Sequence, residues 1–582
     1  MMSLDGVTLA AIKDEFKNRL IGGRIDKIYQ PKPELLTLRI RQPGQNLELL
    51  ISADPQEPRV HISEENFDNP MNPPAFCMLL RKHIESGRIK DVQQPNFERI
   101  LEITIQYMNN EGNLADKILV IELMGRHSNI ILLNEDRMIL DSIKRITSNK
   151  SRYRQLLPGK GYFPPPEQGK NNPLTTDSEE FTQLLQNDLN EPIYRAIMNN
   201  YRGIGPLIAH EIAYRADLNG EEQLTNQNQI KSLGQEFIAI FEAIKNNSFN
   251  PTLVLKNNEF EAFSSINLEQ FDLPKKEYDS ISELMTIYFV EKITRRIINR
   301  YTEKMGAVIS NNKEKADKKY RKLRGQLKGA QNADKYKLKG ELILANIYRL
   351  TKGEKKVKLE NYYDDNKKIT ITLDPKLNPS DNAQKYFKKY EKAKKSVKYL
   401  KYELYKIKNE LDYLNQLEVN IEQAESVEDL EEIYEEMVQE GYIREQKKNK
   451  NKRDKKLPPL KFKSTDGYDI LVGRNNRQND KLTKKIANNQ DTWLHVKDLP
   501  GSHTIIRNHT GEDLPENTIL EAAQIAAFYS KGRESSNVPI DYTLIKDVKK
   551  AKGAKPGMVY YENYTTLYVD PNEELVKNLR VD

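Results

Sequence analysis

Residues 397–414 read VKYLKYELYKIKNELDYL, and their apolar side chains recur at alternating steps of three and four residues. The apolar positions are Val397, Leu400, Leu404, Ile407, Leu411 and Leu414. Such a heptad pattern predicts a helix whose apolar stripe is covered by a partner helix. The helix is expected to begin near Pro379, where Pro-Ser-Asp-Asn supplies a proline and capping side chains, and to continue to about Gln423.

The partner of this helix is expected upstream, between about Ile281 and Leu350. The two segments would form an antiparallel helical hairpin, called the arm below, that separates one pair of modules from a third. Residues 355–362 and 368–374 resemble two short strands, which predicts a small folded knob at the tip of the arm. Two ordinary core helices are the alternative interpretation of the same pattern.

Both halves of the arm carry basic runs. Residues 313–328 hold eight Lys or Arg against two acids, and residues 385–408 hold ten against two, with tyrosines interleaved. Lysines that neutralise phosphates give salt-sensitive binding to nucleic acid, and tyrosines can stack on bases. The predicted ribosome or RNA contacts in the second run are Lys388, Lys389 and Lys392. A solvated coiled-coil face is the alternative.

The chain beyond these runs changes charge twice. Residues 425–440 hold eight acids and no base, which suggests that only one end of the arm faces RNA. Residues 446–456 then hold seven bases and one acid, which predicts a flexible linker with non-specific affinity for phosphate.

Length and composition indicate a soluble multidomain protein. The chain has 582 residues, of which 30% are charged, and a formal net charge of +7. Cys77 is the only cysteine, which excludes an internal disulfide and a cysteine-cluster metal site. The first residues do not resemble a secretory signal, and no apolar run is long enough for a membrane span. A cytoplasmic location is therefore expected.

Residues 1–175 are predicted to form an α+β unit. Helices are expected at 7–20 and 73–86. The strand-like segments are 24–29, 35–41, 47–52, 100–108 and 118–123. A proline-rich exit at residues 154–166 suits a domain boundary.

Two polar clusters interrupt this unit. Glu98-Arg99 precedes a strand, and residues 122–129 read Glu-Leu-Met-Gly-Arg-His-Ser-Asn between two apolar runs. A rigid turn with such donors can bind a phosphate or a nucleobase. A solvated turn with a surface ion pair is the alternative.

Residues 176–273 are predicted to be mostly helical. Gly203 and Gly205 form a Gly-x-Gly turn directly before a helix, where backbone N–H groups can hold a phosphate, as in helix-hairpin-helix modules. An ordinary tight turn between helices explains the same residues.

The last unit, residues 460–570, is predicted to be α+β. Strands are expected at 468–472, 492–496, 503–507, 541–546 and 558–561, with a helix at 515–530. The polar motifs between them suggest RNA contacts by four residues, namely Arg474, Asn475, Trp493 and His495. The spacing of His495, His503 and His509 fits no common metal-ligand pattern, so neither a metal nor a cofactor is expected. No Walker-type loop, zincin helix or Gly-x-Ser-x-Gly elbow is present.

Five of these motifs together resemble the NFACT family. They are Met-Ser-Leu-Asp-Gly at 2–6, the Glu122–Asn129 cluster, the stretch 373–390, Gly-Arg-Asn-Asn-Arg-Gln-Asn-Asp at 473–480, and Trp-Leu-His-Val-Lys-Asp-Leu-Pro-Gly-Ser-His at 493–503. The resemblance extends over nearly the whole chain.

The resemblance implies a multidomain α+β protein with a glycosylase-like N-terminal domain, a helix-hairpin-helix module, a long antiparallel coiled-coil arm with a middle knob, and a C-terminal NFACT-R domain. The expected segments are 1–175 (NFACT-N), 176–273 (helix-hairpin-helix), 274–333 (outgoing arm), 334–378 (knob), 379–440 (return arm), 441–459 (basic linker) and 460–582 (NFACT-R).

The family resemblance also implies a function in ribosome-associated quality control. The expected partners are the large ribosomal subunit obstructed by peptidyl-tRNA, a charged tRNA (tRNA-Ala), and a small RNA-binding companion factor. The protein would support template-free alanine tailing of the nascent chain, while the ribosome performs peptidyl transfer, so it would not itself be an enzyme.

The tRNA-binding residues implied by the resemblance are Glu98, Arg99, Glu122, Met124, Gly125 and Arg126. The family has aspartate where this chain has Glu98, so the reach of that carboxylate differs. Formamidopyrimidine-DNA glycosylases use an N-terminal proline, which Met1-Met2-Ser3 does not provide, so glycosylase activity is not expected. A surface adhesin for fibronectin is the alternative function, and a nucleic-acid repair enzyme is a third class.

Overall fold

A computed structural model gives the fold of residues 4–108, 112–166, 168–257, 259–444 and 457–581. The chain divides into two compact units, one ending at Ile293 and the other beginning at Thr294. Each unit combines helices with antiparallel sheets, as predicted for an α+β protein. The basic run 446–456 lies outside the described residues, and the seven segment boundaries stay predictions.

A nine-stranded antiparallel sheet organises the first unit, with order β4-β3-β2-β1-β5-β6-β7-β8-β9. Strands β1 to β9 are Arg24–Lys32, Leu35–Gln42, Gln45–Ser52, Arg59–Ile62, Arg88–Gln93, Ile100–Met108, Leu114–Glu122, Asn129–Asn134 and Ile139–Ser142. Helices α1 (Gly6–Leu20) and α2 (Ala75–Ile84) share one apolar core with the sheet. The predicted elements are confirmed, but β4, β5, β8 and β9 were not predicted. Strand β8 is buried along most of its length, so its sequence shows no alternation.

The next helices form a second apolar core in the first unit. They are α3 (Ser178–Gln186), α4 (Ile193–Asn200), α5 (Pro206–Arg215) and α6 (Gln227–Lys245). Phe181 and Phe237 are fully buried among them. The expectation of mostly helix up to residue 273 is wrong at its end, where β10 (Thr252–Lys256), β11 (Glu259–Ser264) and β12 (Lys275–Glu277) form a sheet. These strands are too short to give a clear period of two.

Two long helices correspond to the predicted arm. Helix α7 (Ile281–Gln331) begins in the first unit and continues in the second, and α9 (Pro379–Glu422) lies in the second. Met305 of α7 shares an apolar cluster with Ile421 of α9, whereas Lys319 Nζ lies 3.4 Å from Glu403 Oε2. Later residues of α7 thus meet earlier residues of α9, so the helices run antiparallel as predicted. Coiled-coil interlocking of their side chains stays a prediction.

The apolar stripe of α9 faces inward. Leu400, Ile407 and Leu414 are buried, whereas three tyrosines of the same helix are exposed, namely Tyr399, Tyr402 and Tyr405. On α7 the buried positions include the small residues Ala316 and Ala330. Alanines give a weak apolar signal, which explains why the buried side of α7 could not be read from its sequence.

A small folded insert separates the two helices. It contains α8 (Asp334–Ala345) and the hairpin of β13 (Lys356–Asn361) and β14 (Lys367–Thr372). Leu342 of α8 and Ile371 of β14 are fully buried in its core. The two predicted strands are confirmed, and α8 adds a helix to the predicted knob.

Helix α10 (Val427–Gln439) precedes a six-stranded antiparallel sheet with order β15-β16-β18-β17-β19-β22. Strands β15 to β22 are Leu460–Lys463, Asp469–Val472, Thr492–Val496, Thr504–Ile506, Val538–Leu544, Val548–Lys549, Tyr560–Tyr561 and Thr565–Val569. Helices α11 to α13 are Asn476–Lys481, Glu516–Phe528 and Glu573–Leu579. Helix α12 packs on one face of the sheet.

The sequence placed the last strand of this sheet too early. Only Tyr560–Tyr561 of the predicted strand 558–561 is extended, and it pairs with β20 outside the main sheet. Gly557 N–H donates to Asp480 Oδ1 at 3.0 Å, which holds this segment away from the sheet edge. In the part of the chain described, no helix is long and apolar enough to cross a membrane.

Candidate nucleic-acid interface

Five of the predicted site residues line one cavity in the first unit. The cavity has a volume of about 310 Å³. The five residues are Glu98, Arg99, Met124, Gly203 and Gly205. They come from three separate places in the sequence: the loop before β6, the turn after β7 and the turn before α5. The fold therefore brings together three motifs that the sequence singles out separately.

A strained loop presents Glu98 and Arg99 to the cavity. Asn96 and Phe97 both have positive φ, 52° and 59°, which non-glycine residues rarely adopt. Gln94 Nε2 donates to the carbonyl oxygen of Glu98 at 3.0 Å, which supports this conformation. Glu98 and Arg99 are half-buried, and neither side chain forms a hydrogen bond or ion pair with the residues that the structure describes. Their charges are therefore available to a ligand.

The Gly-x-Gly turn packs against the same loop. Gly203 has a φ of 72°, and a Cβ atom there would lie 2.4 Å from the carbonyl oxygen of Phe97. Only glycine fits at this position, because both the conformation and the space exclude a side chain. Gly205 caps α5, whose first residue Pro206 also lines the cavity. The positive end of the α5 dipole favours an anion at this wall.

The sequence did not identify the other charged residues of the cavity wall. They are Asp5, Glu102, Arg137, Lys170 and Arg202. Asp5 lies within the Met-Ser-Leu-Asp-Gly motif and Arg202 directly precedes Gly203, so their position beside known motifs was a usable signal. Arg137 and Lys170 had no such signal.

Some of these charged side chains interact with other groups of the protein. Arg137 donates to both carboxylate oxygens of Glu102, at 3.0 and 2.6 Å. Burial lowers the pKa of Lys170, and the neighbouring Arg99 adds to this effect. Burial raises the pKa of Asp5, against hydrogen bonds from Thr8 that lower it. The wall thus combines basic side chains with one carboxyl group, Asp5, whose pKa is raised by burial.

Glu122 lies behind the wall rather than in it. Its side chain is fully buried, and Arg154 donates to both carboxylate oxygens, at 2.7 and 2.6 Å. Tyr162 Oη–H donates to the same carboxylate at 2.9 Å, and Tyr162 lines the cavity. Direct contact between Glu122 and tRNA does not fit this arrangement, because the carboxylate is enclosed and fully bonded. In this arrangement Glu122 holds the Tyr162 side chain in place through that hydrogen bond.

The remaining residues of that motif form a tight turn outside the cavity lining. Gly125 has a φ of 57° and begins a short helical turn that ends at His127. Arg126 is exposed, and its Nε–H donates to His127 Nε2 at 2.9 Å. Their predicted contacts with tRNA stay predictions.

The three predicted lysines of the arm are exposed on α9. Lys388 and Lys392 border a shallow groove beside the ring of Phe387. Lys389 Nζ lies 5.2 Å from the centre of the Tyr386 ring. None of the three ammonium groups forms an ion pair within the described ranges of the chain. They are available to phosphates.

Trp493 does not fit its predicted role as an RNA contact. Its side chain is fully buried between Leu482 and Ile505, and the ring centre of Tyr561 lies 4.8 Å away. His495 stacks on it at 5.6 Å, and its Nε2 lies 3.2 Å from the carbonyl oxygen of Gly501. Burial lowers the pKa of His495, which favours the neutral ring. Both residues belong to the packing of the sheet.

Arg474 and Asn475 face the acidic end of the arm. Asn475 Nδ2 donates to Glu432 Oε2 at 2.7 Å, and Arg474 Nη1 lies 3.3 Å from Asp429 Oδ1. Asn475 is buried, so its predicted RNA contact is also replaced by an internal one.

A row of carboxylates, called the acidic stripe below, makes these contacts. Its members, spaced three or four residues apart, are Glu425, Asp429, Glu432, Glu436 and Glu440. Each pairs with a donor of the C-terminal domain, in order Arg580, Arg474, Asn475, Asn476 and Lys555. The acidic run that suggested an end facing away from RNA is thus a docking surface within the chain.

No group of three or more His, Cys, Asp or Glu among the described residues is placed to hold a metal ion. His495 and His503 meet edge to face at 5.5 Å, as part of the aromatic packing around Trp493. The cavity and the exposed lysines are therefore the candidate sites.

Comparison with known proteins covers the whole chain. Residues 5–456 match the family described as NFACT N-terminal and middle domains, and residues 459–563 match the NFACT protein RNA binding domain. The Rqc2 homolog RqcH of Bacillus subtilis (strain 168) is 38% identical over 583 residues, which cover 100% of both chains.

More distant relatives match parts of the chain. The ribosome quality control complex subunit NEMF of Homo sapiens is 21% identical over 365 residues, 59% of this chain and 32% of that protein. The N-terminal part of the fibronectin/fibrinogen-binding protein from Streptococcus suis, a solved structure, is 30% identical, covering 50% of this chain and 100% of that one, with a TM-score of 0.43.

Proposed function

Because the chain belongs to the NFACT family, we propose that it acts in ribosome quality control. It binds large ribosomal subunits obstructed by peptidyl-tRNA and recruits a charged tRNA, which the family resemblance indicates is tRNA-Ala. It supports template-free alanine tailing of the stalled chain, together with a small RNA-binding companion factor. The names of the Bacillus and human relatives support the quality-control part of this proposal.

The cavity of the first unit is the observation that carries the proposal. It presents Arg99, which forms no hydrogen bond or ion pair with the described residues, beside the positive end of α5 and the predicted motif residue Met124. A guanidinium beside the positive end of a helix dipole suits a phosphate of tRNA. We propose no catalytic group, since the ribosome would form the peptide bond and this protein would hold the substrates in place.

Replacing both motif residues, Glu98→Ala with Arg99→Ala, tests the tRNA part of the proposal. We expect tRNA capture to weaken by about 10- to 100-fold, the effect of losing one charge-assisted hydrogen bond. Filter binding with purified tRNA measures the affinity. The matched control is Arg39→Ala with Glu48→Ala, an exposed pair at 3.3 Å in the same unit. Subunit binding by the first variant should change little.

Charge reversal of Lys388, Lys389 and Lys392 tests the arm. We expect lower affinity for large subunits and a weaker salt dependence, because three phosphate contacts are lost, while tRNA capture is retained. Sedimentation on sucrose gradients at two salt concentrations measures this. Equal losses of tRNA and subunit binding in both variants would contradict the proposed division between cavity and arm.

Cell fractionation separates this proposal from a surface adhesin for fibronectin. The proposal places the protein in the cytoplasm, comigrating with large subunits. A protein found only on the cell surface, never with subunits, would favour the adhesin.

A further inference from the structure

Two exposed tyrosines lie on one face of the C-terminal sheet. Tyr564 is 46% exposed and Tyr568 is 64% exposed. The register of β19 and β22 pairs Asp541 with Thr566 and Pro539 with Tyr568. Because paired residues point to the same side of a sheet and alternate residues share a side, both tyrosines flank Thr566 on the face that carries Asp541.

Lys497 is held on the same face. Its Nζ lies 4.9 Å from the centre of the Tyr564 ring and donates to Thr566 Oγ1 at 3.2 Å. The carboxylate of Asp541, 3.6 Å away, is only 1% exposed. The ammonium group is thus fixed beside an exposed aromatic ring. We call Lys497, Tyr564 and Tyr568 the tyrosine face.

A basic loop leads into this face. Residues 546–555 contain five lysines and one acid, and three of the lysines, Lys549, Lys550 and Lys555, pair with Glu562, Asp480 and Glu440. Lys546 and Lys552 are exposed and form no ion pair with the described part of the chain. Beyond the loop, the Tyr561 ring contacts that of Tyr564 at 5.2 Å. Lysines that follow a phosphate backbone beside rings that stack on bases are the usual combination for binding single strands.

Other surfaces of this domain are already covered. The opposite face of the sheet packs on α12, and Arg474 and Asn475 bind the acidic stripe. The β15 edge is bridged by the end of the chain, where Val581 N–H donates to the Lys461 carbonyl at 3.0 Å. The tyrosine face has no such cover in the described ranges.

We infer that the tyrosine face binds unpaired nucleotides of RNA, with bases stacked on Tyr564 and Tyr568 and phosphates held by Lys546 and Lys552 of the basic loop. This inference rests on the proposed function, and it assigns RNA contact to a surface other than the Gly473–Asp480 motif. The matched RNA binding domain, residues 459–563, includes Lys497 and the whole basic loop. The charge of that loop favours RNA over an extended peptide added to the β22 edge.

The test uses the full chain and a labelled 12-nucleotide single-stranded RNA of mixed sequence, alone or annealed to its complement. Tyr564→Ala with Tyr568→Ala should lower the affinity for the single strand at least 10-fold and for the duplex less than 3-fold, because only unpaired bases can stack. Tyr564→Phe with Tyr568→Phe should stay within 2-fold of the parent protein. The control Tyr153→Ala with Tyr214→Ala, 66% and 50% exposed in the first unit, should also stay within 2-fold.

Unchanged single-strand affinity in the double alanine variant would overturn the inference, as would equal losses in the alanine and phenylalanine variants. Reduced subunit binding with unchanged RNA affinity would overturn it too and would indicate a protein contact. Tyr568→Ala alone, with an intermediate loss, keeps the test valid if the double variant unfolds. Cosedimentation of the parent protein with large subunits is measured in parallel, so failure of the proposed function is seen separately.

Discussion

Similar polar residues have opposite environments at the cavity of the first unit and at the acidic stripe of the second. At each of them lies an Arg beside an acidic or amide residue that the sequence predicts to bind RNA. Arg99 forms no hydrogen bond or ion pair with the part of the chain that the structure describes, whereas Arg474 lies 3.3 Å from Asp429. The difference lies in what the rest of the chain supplies. Residues 425–440 provide eight acids for the second motif, and no comparable run lies near the first in the sequence.

The comparison shows that the availability of a polar motif depends on the charge that the fold places opposite it. Donors buried against carboxylates are satisfied and carry structure. The same kind of ion pair lies behind the cavity wall, where Arg154 binds Glu122. The Glu122 carboxylate in turn fixes Tyr162 by a hydrogen bond. In both regions paired charges give rigidity, and only the unpaired ones can meet a ligand.

The largest expected effect comes from Arg154, behind the cavity. Arg154→Ala leaves the buried Glu122 carboxylate without its ion-pair partner, which should lower the free energy of unfolding by about 3–5 kcal/mol. The control is Arg145→Ala, which breaks a similar bidentate pair with Asp141 where the arginine is 59% exposed, and should cost much less stability because that guanidinium is solvated. Urea denaturation measures both. Similar losses of unfolding free energy in the two variants would contradict the distinction between buried, paired charges and charges that are available to a ligand.

The acidic stripe should show the next largest effect. Glu432 accepts hydrogen bonds from the Leu457 N–H at 2.9 Å, from Asn475 Nδ2 at 2.7 Å and from Gln478 Nε2 at 3.2 Å. Glu432→Ala removes the acceptor of these three hydrogen bonds and should destabilise the second unit by about 2–3 kcal/mol.

Amide hydrogen exchange of residues 473–481, with urea denaturation, tests this expectation. The control Glu428→Ala removes an exposed acid from the same helix and should cost less than about 0.5 kcal/mol. If exchange in residues 473–481 stayed slow in Glu432→Ala, the motif would be stable without the stripe. Its polar residues would then again be candidates for RNA contact.

The smallest effect concerns pH. Burial raises the pKa of Glu436, although hydrogen bonds from Tyr413 and Asn476 lower it. The folded chain therefore keeps this proton to a higher pH than the unfolded chain. The stability that this group contributes is present below the unfolded pKa, about 4.3, and is lost as pH rises through the folded pKa.

Glu436→Gln cannot ionise but can accept the same bonds from Tyr413 and Asn476, 2.6 and 2.9 Å in the parent chain. It should be more stable than the parent protein at pH 7.5 and equal to it near pH 4. Urea midpoints at both pH values measure the difference, with Glu428→Gln as the control. A less stable variant at pH 7.5 would show that the ionised carboxylate itself stabilises the stripe.

Much of the fold was predictable because it depends on local patterns. The apolar stripe of α9, the strands β1, β2, β3, β6 and β7, and the helix at 515–530 follow from periodicity and breakers. Strand β9 was not predictable, because its four residues show no alternation of apolar and polar side chains. In the site, Glu98, Arg99 and Gly203 stood out as motifs, but Arg137 and Lys170 did not, because only folding brings them to the cavity.

By itself the sequence determined the family, the antiparallel helices and the motifs that carry polar chemistry. These follow from the order and spacing of residues along the chain, which fix periodicity and caps. Only the tertiary structure decided which motif faces a ligand. Trp493 is buried and Arg474 is paired, whereas Arg99 is left open. The physical reason is that burial and counter-charges come from residues far away in sequence, and their proximity is set by packing rather than by spacing.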